Sequence, residues 1–193
     1  DLINFGLGFF FEPVLVLHLQ NNQLTITSQD TKVHEIFNNI QNEPGEILPG
    51  ITAVVNAKSC ISKEEYLNTI KALQQHILRG DCYEINYCQS FLAKEASIDP
   101  LYTYSRLVAI SPTPFAALYK LNDKYCLCAS PERYLKKNGS HIISQPIKGT
   151  SKRNNRNKIK DDANKNYLVA SSKERSENVM VVDLVRNDLS KVC

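Results

Sequence analysis

Tryptophan is absent from this chain, methionine occurs once, at Met180, and glycine only seven times in 193 residues. So few glycines exclude collagen-like and glycine-rich low-complexity chains. No window approaches eighteen consecutive apolar residues, which excludes a membrane-spanning helix. Charge of one sign is not in excess either. The 23 Lys+Arg against 20 Asp+Glu leave a net +3, too mild to argue for a nucleic-acid partner. The six cysteines include no C-x-x-C pair, so the tight spacing that zinc sites use is missing. Cys126 and Cys128 fall on one face of a predicted strand, where a disulfide forms poorly. Reduced thiols in a cytoplasmic protein are the expectation. The chain opens on Asp1 and carries no secretory leader pattern, and the expectation is a fragment of a longer protein.

What is present suits a folded domain. Hydrophobic residues make up 42% and charged residues 22%. A chain of this length can bury a core without disulfides or metals. Val14 to His18 and Leu24 to Thr27, parted by Asn21-Asn22, predict a hairpin that Phe9-Phe10-Phe11 precede. Val33, Ile36, Phe37 and Ile40 have helical spacing over 31–40, and Pro44, Gly45, Pro49 and Gly50 predict a loop. Ser62-Lys-Glu-Glu65 is a capping box that opens a helix ended by Gly80. The β-formers of 82–91 predict a strand, and 100–110 a helix. Residues 115–120 and 124–128 predict strands around the Asn122-Asp123 turn.

Asn138-Gly139 predicts a further hairpin. With those two residues as its loop, Glu132 faces Gln145. Lys148 then lies three residues beyond, on the order of 10 Å along the strand, close enough to line one pocket with Glu132. A long helix is predicted from about residue 166 to Leu189 through Asn178, Val181, Val185 and Leu189. The order mixes strands and helices without a regular βαβ repeat. This predicts an α+β fold, a mostly antiparallel sheet with helices packed on it.

Chemistry concentrates in a few places. Glu177 shares a helix face with Met180, Val181 and Leu184. A carboxylate there either pairs with Lys173 or serves a hard cation. In Gln145-Pro-Ile-Lys148-Gly-Thr150, Pro146 stiffens the chain and Gly149 permits a turn, a frame that aims one lysine. Lys148 is either a surface lysine or, if neutral, a nucleophile. In Ser130-Pro-Glu-Arg133, Glu132 either pairs with Arg133 or acts as a general acid. The basic stretch 151–166 sets six cations against Asp161 and Asp162. It reads as a phosphate grip or a solvated mobile loop, and no aromatic platform is interleaved with it.

Four stretches in order carry a resemblance: Gly80-Asp-Cys-Tyr-Glu-Ile-Asn86, Ser130-Pro-Glu-Arg133, Pro146-Ile-Lys-Gly-Thr150 and Glu177-Asn-Val-Met-Val-Val-Asp-Leu-Val-Arg-Asn-Asp188. With a weaker match at Phe9-Phe-Phe-Glu-Pro13, the chain resembles the chorismate-utilising enzymes. These include anthranilate synthase component I, aminodeoxychorismate synthase component I, isochorismate synthase and salicylate synthase. The resemblance implies a large α/β sandwich of antiparallel sheets with outer helices. Residues 1–193 would be a partial chorismate-binding domain, lacking the family's N-terminal part and its C-terminal half.

Lys148 stands where anthranilate synthases usually carry a small residue, and this version is similar to aminodeoxychorismate synthase. The resemblance then implies amination of chorismate to 4-amino-4-deoxychorismate, on the route to folate. Lys148 would be the nucleophile and Glu132 the general acid. Gly149 and Thr150 would meet the substrate, and Glu177 would hold Mg²⁺. A glutamine amidotransferase subunit would supply ammonia. Glu84 stands where the family commonly has Gln. The alternatives are anthranilate synthase, another chorismate-converting enzyme, or a non-catalytic binding module of the same fold.

Overall fold

A computed structural model describes residues 5, 8, 10–29, 32–45 and 54–193. Of the expectations above, Phe9, Thr31, Pro49 and Gly50 lie outside them. The chain divides into two compact units, one formed by Leu7–Thr103 and the other containing Phe5 and Tyr104–Cys193.

In the first unit, β1 (Leu15–Gln20) pairs antiparallel with β2 (Gln23–Ser28), Gln20 facing Gln23. The two loop residues, Asn21 and Asn22, have φ of 50° and 60°. Both signs suit a I′ turn, which matches the twist of the flanking strands, and Asn tolerates that region best among residues with a side chain. Helix α1 covers Val33–Asn42. Helix α2 covers Lys63–Arg79, and its ends obey local rules. The Glu65 N–H donates to Ser62 Oγ at 3.0 Å, and Gly80 closes the helix at φ 82°. Ser62→Ala is expected to lower stability by about 1 kcal/mol, measured by urea unfolding.

The predicted strand over 82–91 is corrected. Only β4 (Phe91–Leu92) pairs, with β3 (Lys58–Ser59). The β-formers before it find no ladder partner among the described residues. Tyr87 instead stacks on Tyr66 of α2, ring centroids 5.3 Å apart, and Glu84 is half-buried. A strand needs a neighbour as well as propensity.

Helix α3 (Pro100–Ile110) contains the boundary between the units. In the second unit, β5 (Phe115–Leu121) pairs with β6 (Lys124–Ser130) around Asn122-Asp123. Next, β7 (Arg133–Asn138) pairs with β8 (His141–Gln145). Here the loop is Gly139-Ser140, one residue later than predicted, so Asn138 faces His141. Glycine at the first loop position with φ 59° is what a II′ turn requires. With a register shift between Arg133 and Lys136, Arg133 rather than Glu132 faces Gln145.

The single long helix is also corrected. It is two helices, α4 (Lys158–Ala170) and α5 (Ser172–Leu189). They part at Ser171, which is extended and caps α5 by accepting the Glu174 N–H at 3.4 Å. Val179 to Val182 are helical, as their spacing predicts. All six cysteines are free thiols.

The expected core is not formed. Among the described residues none is fully buried, and Val14, Leu17 and Leu19 are about half exposed or more. Among the described residues each sheet has two strands, so each strand has one neighbour and each sheet face little to cover it. Contiguous apolar surface of this kind marks faces that pack against further protein. Strong enhancement of an apolar dye's fluorescence by the 193-residue chain is the expected result, and a dark dye would contradict this exposure.

Candidate active site

Ser130-Pro-Glu-Arg133 makes the corner between β6 and β7. Ser130 Oγ accepts the Glu132 N–H at 3.2 Å and donates to the Glu132 carbonyl at 3.1 Å. The corner turns the Glu132 and Arg133 side chains to different partners. Arg133 Nε donates to Gln145 Oε1 at 2.9 Å, and its guanidinium lies 4.7 Å from the Phe115 ring centroid. Glu132 Oε1 accepts the backbone N–H of Ile147 at 2.9 Å. The expected Glu132–Arg133 pair is therefore not made.

Beyond β8, Pro146 has no N–H, so Ile147 carries the first donor after Gln145. Lys148 follows and is half-buried. Gly149 then takes φ 75°, in the left-handed region. A β-carbon on Gly149 would stand 2.6 Å from Glu174 Oε2 and 3.0 Å from Glu174 Cβ. The first turn of α5 thus lies directly against this turn.

Between them is a cavity of about 310 Å³ lined by residues that include Lys148, Leu168, Glu174, Arg175 and Asn178. Glu174, Arg175 and Asn178 share one helix face by their spacing. Glu132 and Thr150 are outside its lining, and Gly149 flanks it through Glu174. Glu132 and Lys148 are therefore joined through the Ile147 backbone rather than as two walls of one pocket.

Glu177 lies one turn further along α5 and does not line the cavity. Its carboxylate is 3.6 Å from Lys173 Nζ, which is also 3.9 Å from Glu174. The salt bridge that pattern alone allowed for Glu177 is present. No cluster of three potential metal ligands occurs among the described residues. Glu174 and Glu177 nevertheless present two hard oxygen donors three residues apart, with one cation already between them. That donor set fits Mg²⁺, which takes one or two carboxylates and completes its shell with water and substrate. Sequence reasoning missed Glu174, although Ser171-Ser-Lys-Glu174 has capping-box spacing.

The basic stretch is tied to the start of α4 by hydrogen bonds. Asp161 accepts from Arg153 Nε through both oxygens, at 3.0 and 3.1 Å, and from the Asn154 N–H at 2.7 Å. Asn164 Nδ2 donates to the Lys152 carbonyl at 2.8 Å. The hydrogen bond from Arg153 holds the Asp161 carboxyl below its usual range, and the same bond raises Arg153. A carboxyl depressed on folding stabilises above its unfolded value and loses that support as pH falls through its folded value. Proteolysis within 152–157 is accordingly expected to stay constant from pH 7 to 5 and to rise only below about pH 4. Asp161→Ala should raise it at pH 7; equal cleavage of both forms would mean that the Asp161 bonds to Arg153 and Asn154 do not hold the stretch.

The antiparallel hairpins and helices make an α+β fold. The family model for chorismate binding enzyme matches residues 7–193, and the chain belongs to that family. It is 37% identical over 135 residues to aminodeoxychorismate synthase component 1 of Salmonella typhimurium, covering 70% of this chain and 29% of that protein. It is 36% identical over 137 residues to a probable anthranilate synthase component 1 of Schizosaccharomyces pombe, covering 71% and 28%. Over 192 residues it is 29% identical to aminodeoxychorismate synthase component 1 of Klebsiella aerogenes, covering 100% and 42%. The chain thus spans less than half the length of these relatives. The crystal structure of anthranilate synthase component I from Streptococcus pneumoniae matches with a TM-score of 0.67 at 21% identity, covering 82% of this chain and 34% of that one. That likeness bears on the fold. No helix among the described residues is long and apolar enough to cross a membrane.

Proposed function

We propose that this chain is the nucleophile-bearing part of an aminodeoxychorismate synthase component I, which converts chorismate and ammonia to 4-amino-4-deoxychorismate for folate synthesis. The observation that carries the reading is Lys148. It is half-buried on a frame fixed on both sides, and it lines a cavity with Glu174, Arg175 and Asn178. The names of several relatives support the same reaction, and "component 1" supports a second subunit, a glutamine amidotransferase that supplies the ammonia. The free thiols suit a cytoplasmic enzyme.

In this mechanism neutral Lys148 Nζ bonds to C2 of chorismate. Electrons shift through the ring diene, and the C4–oxygen bond breaks. Glu132 gives its proton to the departing hydroxyl, which leaves as water. Ammonia then bonds to C4, the electrons shift back, and the C2–nitrogen bond breaks to return the pair to Lys148. Glu132 takes up the proton lost by the new amine. Gly149 and Thr150 contact the substrate. Glu177, with Glu174 beside it, would hold Mg²⁺, whose charge neutralises a substrate carboxylate when bound.

Incubating the protein with chorismate, Mg²⁺ and ammonium, followed by mass spectrometry, tests the reading. Aminodeoxychorismate supports it. Anthranilate would favour the second reading, which the comparably similar Schizosaccharomyces pombe relative keeps open. No conversion of chorismate would leave a binding role.

A further inference from the structure

The β7–β8 ladder stops at Arg133 and Gln145, yet the two chains stay joined two residues further on. Glu132 Oε1 takes the Ile147 N–H at 2.9 Å, where a strand neighbour would offer a carbonyl. Pro146 makes that N–H the only backbone donor between Gln145 and Lys148. On the other side of Lys148, Gly149 turns at φ 75° against Glu174. The backbone that carries Lys148 is thus tied by a carboxylate bond at the residue before it and turns against Glu174 at the residue after it.

We propose that Glu132 is a positioning residue for Lys148, acting through the Ile147 N–H rather than only as a proton donor. The Glu132 side chain reaches where the strand backbone has already turned away, and Oε1 can accept the amide while the other oxygen carries the proton the mechanism needs. Arg133 braces the same corner from the neighbouring position by holding Gln145, so the last β8 residue before Pro146 is tethered too. The inference rests on Lys148 being the reactive group, and its test does not depend on turnover.

The experiment compares the protein with its Glu132→Ala and Glu132→Gln variants. Hydrogen exchange at the Ile147 amide and the rate at which trinitrobenzenesulfonate modifies Lys148 are both followed by peptide mass spectrometry, alongside kcat and KM. Glutamine keeps a carbonyl oxygen that accepts the N–H but cannot supply the same proton. The expected result is Ile147 exchange about tenfold faster in Glu132→Ala and largely restored in Glu132→Gln. Lys148 modification should change in the first variant and return in the second, with kcat partly recovered and KM little moved. Ile147 exchange that ignores both substitutions overturns the proposal. So does restored exchange in Glu132→Gln with Lys148 reactivity still at the alanine level. If the unaltered protein makes no aminodeoxychorismate while exchange and modification respond as expected, the positioning stands and the assigned reaction fails.

Discussion

Lys148→Ala is expected to reduce aminodeoxychorismate formation by about 10³-fold or more, the scale on which removal of a covalent nucleophile acts. Chorismate binding should change far less. In the proposed mechanism the substrate is anchored through its carboxylates, and the lysine must be neutral when it attacks. Lys148→Arg is the sharper variant. It keeps a positive charge near the same place but holds it permanently, and guanidinium is a poor nucleophile. If Lys148 served only to attract an anionic substrate, arginine would retain most of the activity. If Lys148 attacks, arginine should be as inactive as alanine. Product formation measured by mass spectrometry decides between them, and full activity in Lys148→Arg would remove the nucleophile from the mechanism.

The parts of the fold that the sequence announced are those set by a few neighbouring residues. Asn21-Asn22, Ser62 with Glu65, Gly80 and Asn122-Asp123 each decide a turn or a helix end within about four positions, and each is found where expected. The misreadings have nonlocal or degenerate causes. Residues 82–90 carry strand propensity but join no strand ladder among the described residues, and pairing is decided by segments far away in sequence. At Asn138-Gly139-Ser140 either adjacent pair could form the loop. Gly139 serves as the first residue of a II′ turn as readily as the second residue of a I′ turn, and that difference together with the register shift between Arg133 and Lys136 places Arg133 rather than Glu132 opposite Gln145. Ser171 was legible in retrospect, because a serine three residues before a glutamate starts a helix as well as it continues one.

The site divides in the same way. Lys148 and Glu132 stand out in the sequence because their motifs put unusual residue types into stiff local frames. Glu177 stands out through the apolar stripe of α5 beside Met180 and Val181, and Glu174 does not. What singles out Glu174 is its approach to Gly149, twenty-five residues earlier. No periodicity within one helix contains that information. The expectation of a buried core failed for a related reason: the hydrophobic pattern shows which faces seek cover but not whether the covering residues belong to the same stretch of chain.

Gly149→Ala tests that approach and should be the most damaging single change in this region. Two penalties combine. A residue with a side chain held near φ 75° costs about 1–2 kcal/mol. The new methyl group would also fall 2.6 Å from Glu174 Oε2, the end of a side chain that can turn away, and 3.0 Å from Glu174 Cβ, which must yield by a few tenths of an ångström; making this room adds about 1–2 kcal/mol. A loss near 2–4 kcal/mol in urea unfolding is expected. Because Lys148 is the preceding residue, a displacement on the order of 1 Å would also lower kcat by about 10²-fold.

The two penalties can be separated by repeating the change in a Glu174→Ala background. That background removes Oε2 and Cδ but leaves Cβ in place, so it relieves part of the collision and none of the backbone strain. Gly149→Ala should then cost about 1 kcal/mol less than in the unaltered protein, a coupling that a double-mutant cycle resolves. Equal costs in both backgrounds would mean that the Glu174 carboxylate adds nothing, leaving the backbone angle and the approach of Glu174 Cβ as the reasons for glycine at 149.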